Sequence, residues 1–336
     1  MTFNHIPVLF KQVTSLIAAH EPGRIIDATL GGAGHSKGLL ERLPNARLLG
    51  IDRDAAAIQT AQQVLAPYQN RVNIRKGVFS DMKAIAESVG WTQADCILMD
   101  IGVSSPQIDD PTRGFSFRMD GPLDMRMNQD DPITAADLLN TASQEQLETI
   151  LRDFGEELKA KTIAREIVKR REKKPWKTTG ELNELLEKLV GFKHQHGLPP
   201  ATRTFQALRI AVNHELEELS NALKTAVELL APDGVIAVIS FHSLEDRIVK
   251  RFFQYEATSC ICPPKMPVCT CGKIQTLEIL THKPITAEKE ELEMNPRAAS
   301  AKLRAAVKLP PAERERPTSA EDRAPSATKT KNFTIL

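Results

Sequence analysis

In the first hundred residues, short apolar runs alternate with segments whose apolar residues recur at helical spacing. The apolar runs predict strands at residues 25–27, 48–52, 72–74 and 96–100, and the segments between them predict helices near 36–42, 55–65 and 81–89. Strands that alternate regularly with helices are typical of a parallel, doubly wound sheet. The pattern therefore predicts an α/β fold.

A different pattern begins after residue 102. Residues 102–126 show no periodicity and predict a loop, whereas residues 133–191 predict several helices. From 205 to 230, apolar residues recur every three or four positions, which predicts one long amphipathic helix. A fifth buried strand follows at 235–240, so a helical block is predicted to be inserted between strands four and five of one sheet.

Within the helical block, polar residues and glycines indicate where single helices begin and end. Ser143 and Thr178 are each followed three residues later by Gln or Glu, the sequence form of a capping box. Gly155 and Gly191 are placed to end helices. The block is therefore predicted to contain several short helices.

After the fifth strand the chain predicts a helix at 244–254 and two more strands at 276–280 and 301–307, which suit an antiparallel end to the sheet. Residues beyond 310 are rich in Pro, Ser, Thr and charge and have little to bury. The predicted organisation is a discontinuous sheet domain of residues 1–107 and 203–309, an inserted helical domain of residues 108–202, and a disordered tail of residues 310–336.

Composition changes this picture only slightly. The chain has 336 residues, 41% hydrophobic and 26% charged, with 44 basic and 43 acidic side chains. No segment approaches the roughly 20 apolar residues that a membrane helix needs, and the first residues do not resemble a signal peptide. We therefore expect a cytoplasmic protein without a membrane partner; the composition leaves the oligomeric state open.

One segment departs from the even charge balance. Residues 159–174 hold eight basic and two acidic side chains. The segment is interpreted either as the solvated face of a helix or as a surface that contacts nucleic acid.

The turn after the first strand is rich in glycine. Asp27 ends the strand, and Gly31, Gly32, Ala33 and Gly34 precede the next helix. Glycine lets the backbone turn tightly and approach a ligand, and several nucleotide cofactors bind such turns. The spacing departs from the dinucleotide motif and from the P-loop, which favours S-adenosylmethionine over NAD or a nucleoside triphosphate.

Two residues after the second and third strands are candidates to hold that cofactor. Asp52 ends the second strand, where a carboxylate can accept hydrogen bonds from ribose hydroxyls or cap the next helix. Phe79 follows the third strand and is placed either against an adenine ring or in the core.

The fourth strand ends in Asp-Ile-Gly-Val-Ser-Ser-Pro-Gln at positions 100–107. This segment resembles the Asp/Ser-Pro-Pro-aromatic motif of methyltransferases that act on exocyclic amines of bases. The lone pair of such an amine is delocalised into the ring, so acceptors aimed at its hydrogens, here Asp100 and Ser105, localise it toward the methyl group. Gln107 stands where the motif has an aromatic residue, so stacking on the base is predicted to come from Phe115 or Phe117.

Longer motifs extend the resemblance to residues 4–308. They are His-Ile-Pro-Val-Leu from 5, the loop at 31–36, residues 100–107, Arg-Gly-Phe-Ser-Phe from 113, Gly-Pro-Leu-Asp-Met-Arg-Met from 121, Arg-Thr-Phe-Gln-Ala-Leu-Arg from 203, Ser-Phe-His-Ser-Leu-Glu-Asp-Arg from 240 and Asn-Pro-Arg-Ala from 295. Together they resemble the ribosomal RNA small subunit methyltransferase H family, bacterial enzymes that methylate the N4 amine of a decoding-centre cytidine in 16S ribosomal RNA.

The resemblance implies a Rossmann-like class I S-adenosylmethionine methyltransferase sheet whose helical insertion recognises the small ribosomal subunit. By this resemblance, the residues that contact the cofactor are Ala33, Gly34, His35, Asp52, Phe79, Asp100 and Gln107. Candidate substrate contacts are Phe115, Lys169, Arg170, Arg171, Arg203, His242 and Arg247, although the segment that begins at His242 equally suits a helix cap.

Four of the five cysteines, Cys260, Cys262, Cys269 and Cys271, form two Cys-x-Cys pairs in a proline-rich loop. They are interpreted either as a tetrahedral zinc site or as free thiols, and the resemblance does not require zinc. Two other functions remain open at this point: a methyltransferase for another RNA, a protein or a small molecule, and a ribosome-binding protein without activity.

Overall fold

The computed structural model describes residues 7–190, 199–263, 266 and 268–311. Its strands are β1 (Arg24–Asp27), β2 (Arg47–Asp52), β3 (Val72–Lys76), β4 (Ala94–Asp100), β5 (Leu230–Ser240), β6 (Leu277–Ile279) and β7 (Lys302–Lys308). Its α-helices are α1 (Phe10–Ala18), α2 (Gly34–Arg42), α3 (Ala55–Val64), α4 (Met82–Ser88), α5 (Ser105–Asp109), α6 (Ala135–Thr141), α7 (Gln144–Asp153), α8 (Ala160–Arg171), α9 (Thr179–Leu189), α10 (Thr202–Asn213), α11 (Glu215–Leu229), α12 (Ser243–Glu256) and α13 (Lys289–Met294).

All seven strands of the described residues form one sheet in the order β3-β2-β1-β4-β5-β7-β6. The pairs among β3, β2, β1, β4 and β5 are parallel, and β7 runs antiparallel to both β5 and β6. The predicted α/β sheet with an antiparallel end is confirmed. Because parallel strands have their carboxyl ends at one edge, Asp27, Asp52 and Asp100 all lie at the same edge of the sheet.

Side chains alternate between the two faces of the sheet, and each face has its own apolar core. One core joins Ile26, Leu49 and Ile97 to buried residues of α4, α11 and α12. The other joins Ile25 and Leu48 to buried residues of α1, α2 and α3. Both faces are therefore covered, as a parallel sheet requires.

The chain divides into two compact units, which we call the sheet unit (Met1–Gly102 and Glu218–Leu336) and the helical unit (Val103–Glu217). These boundaries differ from the predicted ones after residues 107 and 202. Helix α10 belongs to the helical unit because Phe205, Leu208 and Val212 pack into that unit's core, together with Trp176 and Leu182.

The single long helix predicted over 205–230 is wrong. The structure has two helices, α10 and α11, separated by His214 in a left-handed conformation (φ 52°). Asn213 holds the break by accepting from the Met127 N–H and donating to the Met125 carbonyl. Arg209 spans it with two 2.8 Å hydrogen bonds to Glu215.

The helix boundaries that were predicted at Ser143, Gly155 and Thr178 agree with the structure. Ser143 and Gln146 form the predicted capping box of α7, and Gly155 follows the end of that helix. Thr178 caps α9 by accepting from Glu181 N–H. The predicted end at Gly191 and the predicted tail beyond residue 311 lie outside the described residues. Among the described helices, none has the length and apolar character needed to cross a membrane.

Candidate functional site

The glycine-rich turn between β1 and α2 is fixed to the end of β2. Leu30 N–H donates to the Ile51 carbonyl at 2.9 Å, and Gly31 N–H donates to Asp52 Oδ2 at 2.8 Å. Asp52 Oδ1 accepts from Asp54 N–H at 2.8 Å. Each carboxylate oxygen can accept a second hydrogen bond, so Asp52 orders the turn and retains acceptor capacity for a ligand.

The glycines of this turn serve different purposes. A Cβ at Gly32 would meet open space, so the backbone at that point is accessible to a ligand. A Cβ at Gly34 would collide with the Pro7 ring, so this glycine is required by packing inside the protein. Ala33 has a left-handed conformation (φ 61°), which costs an L-residue about 1 kcal/mol and marks a turn held by its surroundings.

Two carboxyl groups flank the turn, the buried Asp27 and the half-buried Asp52. Burial raises the pKa of Asp27 to about 6, although the Ser36 hydroxyl, which donates to Asp27 Oδ2 at 2.6 Å, and His35 act in the opposite direction. Burial also raises the pKa of Asp52, whereas the N–H groups of Asp54 and Gly31 lower it. Both groups are thus positioned by donors from the turn and its flanks.

Asp100 lies at the end of β4, close to the same turn. Its N–H donates to Thr29 Oγ1 at 2.6 Å, and its Oδ2 lies 3.6 Å from Nε2 of the buried His35. Within the described residues, Asp100 Oδ1 and both ring nitrogens of His35 are buried and have no hydrogen-bond partner. Buried polar atoms without partners are costly, so a water molecule or a ligand is expected to supply the partner.

Thr29 was missed by the sequence analysis. Its hydroxyl orients the end of β4, and only its position two residues after Asp27 hinted at this role. Phe79, in contrast, lies where it was expected, just after β3, and is partly buried against the core that contains Met82 and Ile51. That contact satisfies the core interpretation, and stacking on adenine stays a prediction.

The unit boundary after Gly102 divides the segment 100–107. Ser105 begins α5 in the helical unit, and Gln107 belongs to a capping box in which its Oε1 accepts from Ser104 N–H at 3.0 Å. Gln107 is buried. Its side chain thus has a structural role, and the predicted cofactor contact stays a prediction.

Other candidate substrate residues of the helical unit contribute to its packing. Phe115 is partly buried against the core, and Phe117 makes an edge contact with Phe205 at a centroid distance of 5.3 Å. Arg203 donates to the Glu156 carbonyl at 2.7 Å. These contacts lie within the helical unit, and the predicted RNA contacts stay predictions.

Only some of the basic side chains in the run 159–174 are exposed to solvent and so accessible to a nucleic acid. Arg171 donates to the carbonyls of Leu139 and Ala142, and Arg170 stacks on Trp176 at 3.7 Å. Burial raises the pKa of Glu181, but Lys174, the Lys177 N–H and Arg170 lower it to about 2. Arg170 and Arg171 are therefore engaged within the protein, whereas the side chains that are exposed are Lys161, Arg165, Lys169, Lys173 and Lys174.

The turn after β5 is organised by Glu245. This buried carboxylate accepts from the N–H groups of Phe241 and His242 at 2.9 and 3.2 Å, and its other oxygen lies 3.0 Å from His242 Nε2. His242 occupies the N-cap position of α12, which agrees with the capping interpretation, and an RNA contact stays a prediction. Arg247, one turn into α12, is exposed. Glu245 was not singled out, although an acidic residue three positions after an N-cap is a capping signal.

Elsewhere in the sheet unit, the structure brings together all four clustered cysteines, whose Sγ atoms lie within 4.8 Å of one another.

The model of the MraW methylase family matches residues 2–309 of the sequence. The chain belongs to this family. Among its curated relatives, "Ribosomal RNA small subunit methyltransferase H" of Heliobacterium modesticaldum is 50% identical over 92% of this chain and 100% of its own. The protein of the same name from Carboxydothermus hydrogenoformans is 48% identical over 92% and 99%.

Membership confirms the predicted resemblance and makes the chain a methyltransferase with a Rossmann-like class I sheet. Among solved structures, a putative rRNA-methylase from Clostridium thermocellum covers 91% of this chain and 100% of its own, with 12% identity and a TM-score of 0.42. At that level the likeness adds nothing to the assignment, which rests on the family match and the strand order.

Proposed function

We propose that this methyltransferase transfers the methyl group of S-adenosylmethionine to the N4 amine of a decoding-centre cytidine in 16S ribosomal RNA. The observation that carries the proposal is Asp100, which begins the amine-type segment 100–107. Its buried Oδ1 has no hydrogen-bond partner among the residues that the structure describes. The names of the curated relatives support ribosomal RNA as the substrate.

The residues of the sheet edge fit S-adenosylmethionine. The open backbone face at Gly32 admits a ligand, and Asp52 retains acceptor capacity for two ribose hydroxyls. The polar atoms of His35 and Asp100 that have no partner in the described part of the chain are suited to a ligand with both donors and acceptors. When bound there, this cofactor supplies a methyl group on a positively charged sulfur.

The chain's own residues would prepare the amine. An acceptor at Asp100 or Ser105 holds the amine hydrogens and localises the nitrogen lone pair toward the methyl group. Methyl transfer from the bound cofactor would leave one proton to be released by the amine, and the Asp100 carboxylate is the candidate acceptor for it. The base must leave its stack to reach this edge, so a single-stranded segment is the preferred substrate.

The proposed reaction is tested by mass spectrometry of 16S ribosomal RNA. Cells that lack this protein should lose methylation on the N4 atom of one decoding-centre cytidine, and a plasmid copy of the gene should restore it. A methyl group that is lost instead from a ring carbon, a ribose, another RNA or a protein would contradict the assignment and support the alternative substrates.

We also propose that the exposed lysines of the basic run contact RNA phosphates. Lys161, Lys169 and Lys173 are exposed, unlike the partly buried and engaged Arg170 and Arg171. Replacing the three lysines by alanine should reduce the slope of log affinity against log salt by about 2, because each phosphate contact on single-stranded RNA contributes about 0.7. The measurement is RNA binding at several salt concentrations.

A matched triple variant at Lys83, Lys283 and Lys289, which are exposed in the sheet unit, removes the same charge elsewhere. It should leave the slope closer to that of the unmodified protein. Equal slopes for both triple variants would contradict the RNA contact and support the interpretation of the basic run as a solvated helix face.

A further inference from the structure

We propose that Cys260, Cys262, Cys269 and Cys271 bind one Zn²⁺ ion as a structural site. Cys269 Sγ lies 3.5 Å from Cys260 Sγ, 3.5 Å from Cys271 Sγ and 3.9 Å from Cys262 Sγ. Cys271 Sγ lies 3.9 Å from Cys260 Sγ. Tetrahedral Zn²⁺ with Zn–S bonds of about 2.3 Å places its sulfur atoms about 3.8 Å apart. Four of the six sulfur pairs are thus already near that spacing, and all six lie within 4.8 Å.

The arrangement differs from two disulfides. A disulfide brings two sulfurs to about 2.05 Å and separates that pair from others, whereas Cys269 Sγ has three near-equivalent sulfur neighbours. All five cysteines of the chain are free thiols in this structure. A single centre shared by four sulfurs therefore describes the cluster better than two bonds do.

Backbone N–H groups point at these sulfurs. Ile261 N–H donates to Cys271 Sγ, Cys262 N–H to Cys260 Sγ and Thr270 N–H to Cys262 Sγ, each at 3.4 Å. Four thiolates around Zn²⁺ carry a net charge of −2, and N–H donors to sulfur reduce the cost of that charge. Such donors also fix the ligand orientation before metal binds.

Two apolar side chains in the described part of the surrounding loop are exposed, so a bound metal would supply an interaction that these side chains do not. The loop joins α12 to β6, and its apolar residues Ile261 and Val268 are 52% and 61% exposed. The loop's base is ordered by Glu256, whose carbonyl accepts from Thr276 N–H at 2.8 Å and whose carboxylate pairs with Lys273. Beyond that base, a metal takes the place of an apolar core.

Four thiolate ligands leave no open coordination position, so the site is structural and takes no part in methyl transfer. The inference therefore does not depend on the proposed function, and its test measures metal rather than activity.

The first test is the metal content of the full chain, purified in reducing buffer without chelator. We expect about one zinc per chain, and at least a tenfold lower content when all four cysteines are replaced by serine. Cys96→Ala, at the fifth and fully buried cysteine in β4, is the matched control and should retain the zinc. The proposal would be overturned if zinc persisted in the quadruple variant, or if the unmodified chain contained iron instead of zinc.

The second test uses the unmodified sequence and so does not require the quadruple variant to fold. Metal-free protein is titrated with Co²⁺, whose visible absorption identifies tetrahedral thiolate coordination. We expect saturation at one equivalent and displacement of Co²⁺ by Zn²⁺. Absence of the thiolate-bound spectrum, or peptide mass spectrometry that finds these cysteines in disulfides in the reduced preparation, would exclude the site.

Discussion

Replacing Asp100 by asparagine is expected to slow methyl transfer by about 100- to 1,000-fold, the range found when one preorganised polar group is removed from a reaction centre. The carboxylate lies at the end of β4 with a buried oxygen that has no partner within the described residues. Asparagine keeps the size of the side chain but loses the charge that, in the proposed reaction, holds the amine hydrogens and accepts the proton. The measurement is single-turnover transfer of labelled methyl to RNA with saturating cofactor.

The same strand offers a matched control. Asp95 lies near the start of β4, where its Oδ2 accepts from the N–H groups of Gly23 and Arg24. Asp95→Asn keeps an acceptor there and should leave the transfer rate close to that of the unmodified enzyme. Cofactor affinity must be measured for the same variants, because Asp100 lies 3.6 Å from His35 and both residues are predicted to contact the cofactor. Full activity of Asp100→Asn would remove Asp100 from the reaction.

The variant Ser105→Ala is designed to distinguish an effect on the methyl-transfer rate from an effect on cofactor binding. If its hydroxyl holds the amine, Ser105→Ala should lower the transfer rate while cofactor affinity changes little, because Ser105 is not assigned to the cofactor. A loss of affinity without a loss of rate would place Ser105 with the cofactor instead.

Asp52→Ala is expected to weaken binding of S-adenosylmethionine by about 10- to 150-fold. That range corresponds to the loss of the proposed charge-assisted hydrogen bonds to the ribose, worth about 1.5–3 kcal/mol. The N–H groups of Gly31 and Asp54 also lose their acceptor, which would disturb the turn. Isothermal titration calorimetry measures the affinity, and thermal unfolding shows whether the fold is retained.

Asp54→Asn is the matched control for that variant. Asp54 caps α3 by accepting from Ala56 N–H at 2.9 Å, and asparagine caps helices equally well. The variant therefore removes a nearby charge without removing the proposed ribose acceptor, and cofactor affinity should hold. If Asp52→Ala binds the cofactor as tightly as Asp54→Asn does, the assignment of Asp52 is wrong.

The sheet could be predicted because local signals sufficed. Buried strands are continuous apolar runs, and the Asp residues that end β1, β2 and β4 follow directly from those runs. The break at His214 could not be predicted in this way. A single left-handed residue changes the direction of the chain but leaves the apolar spacing intact, and the bonds of Asn213 that stabilise it reach residues 125 and 127.

For the candidate site, the positions of residues at strand ends could be predicted, but their contacts could not. Asp52 and Asp100 were found from their positions at strand ends, whereas the bond from Asp100 to Thr29 depends on the pairing of β1 with β4. The charge of the run, together with the family resemblance, suggested that Arg170 and Arg171 contact RNA. Their engagement with Trp176 and with the end of α6 depends on how three helices pack, which no local pattern reports.

The strand order also constrains how the chain folds during synthesis. The first hundred residues can complete β3-β2-β1-β4, but β5, which covers the other edge of β4, begins only at Leu230. That edge is apolar, with Ile97, Leu98 and Met99 all buried in the finished protein, and an unpaired apolar edge invites pairing with other chains. The helical unit has its own core and emerges between the two strands. If it becomes compact early, it shortens the open segment that the pairing of β4 with β5 must close.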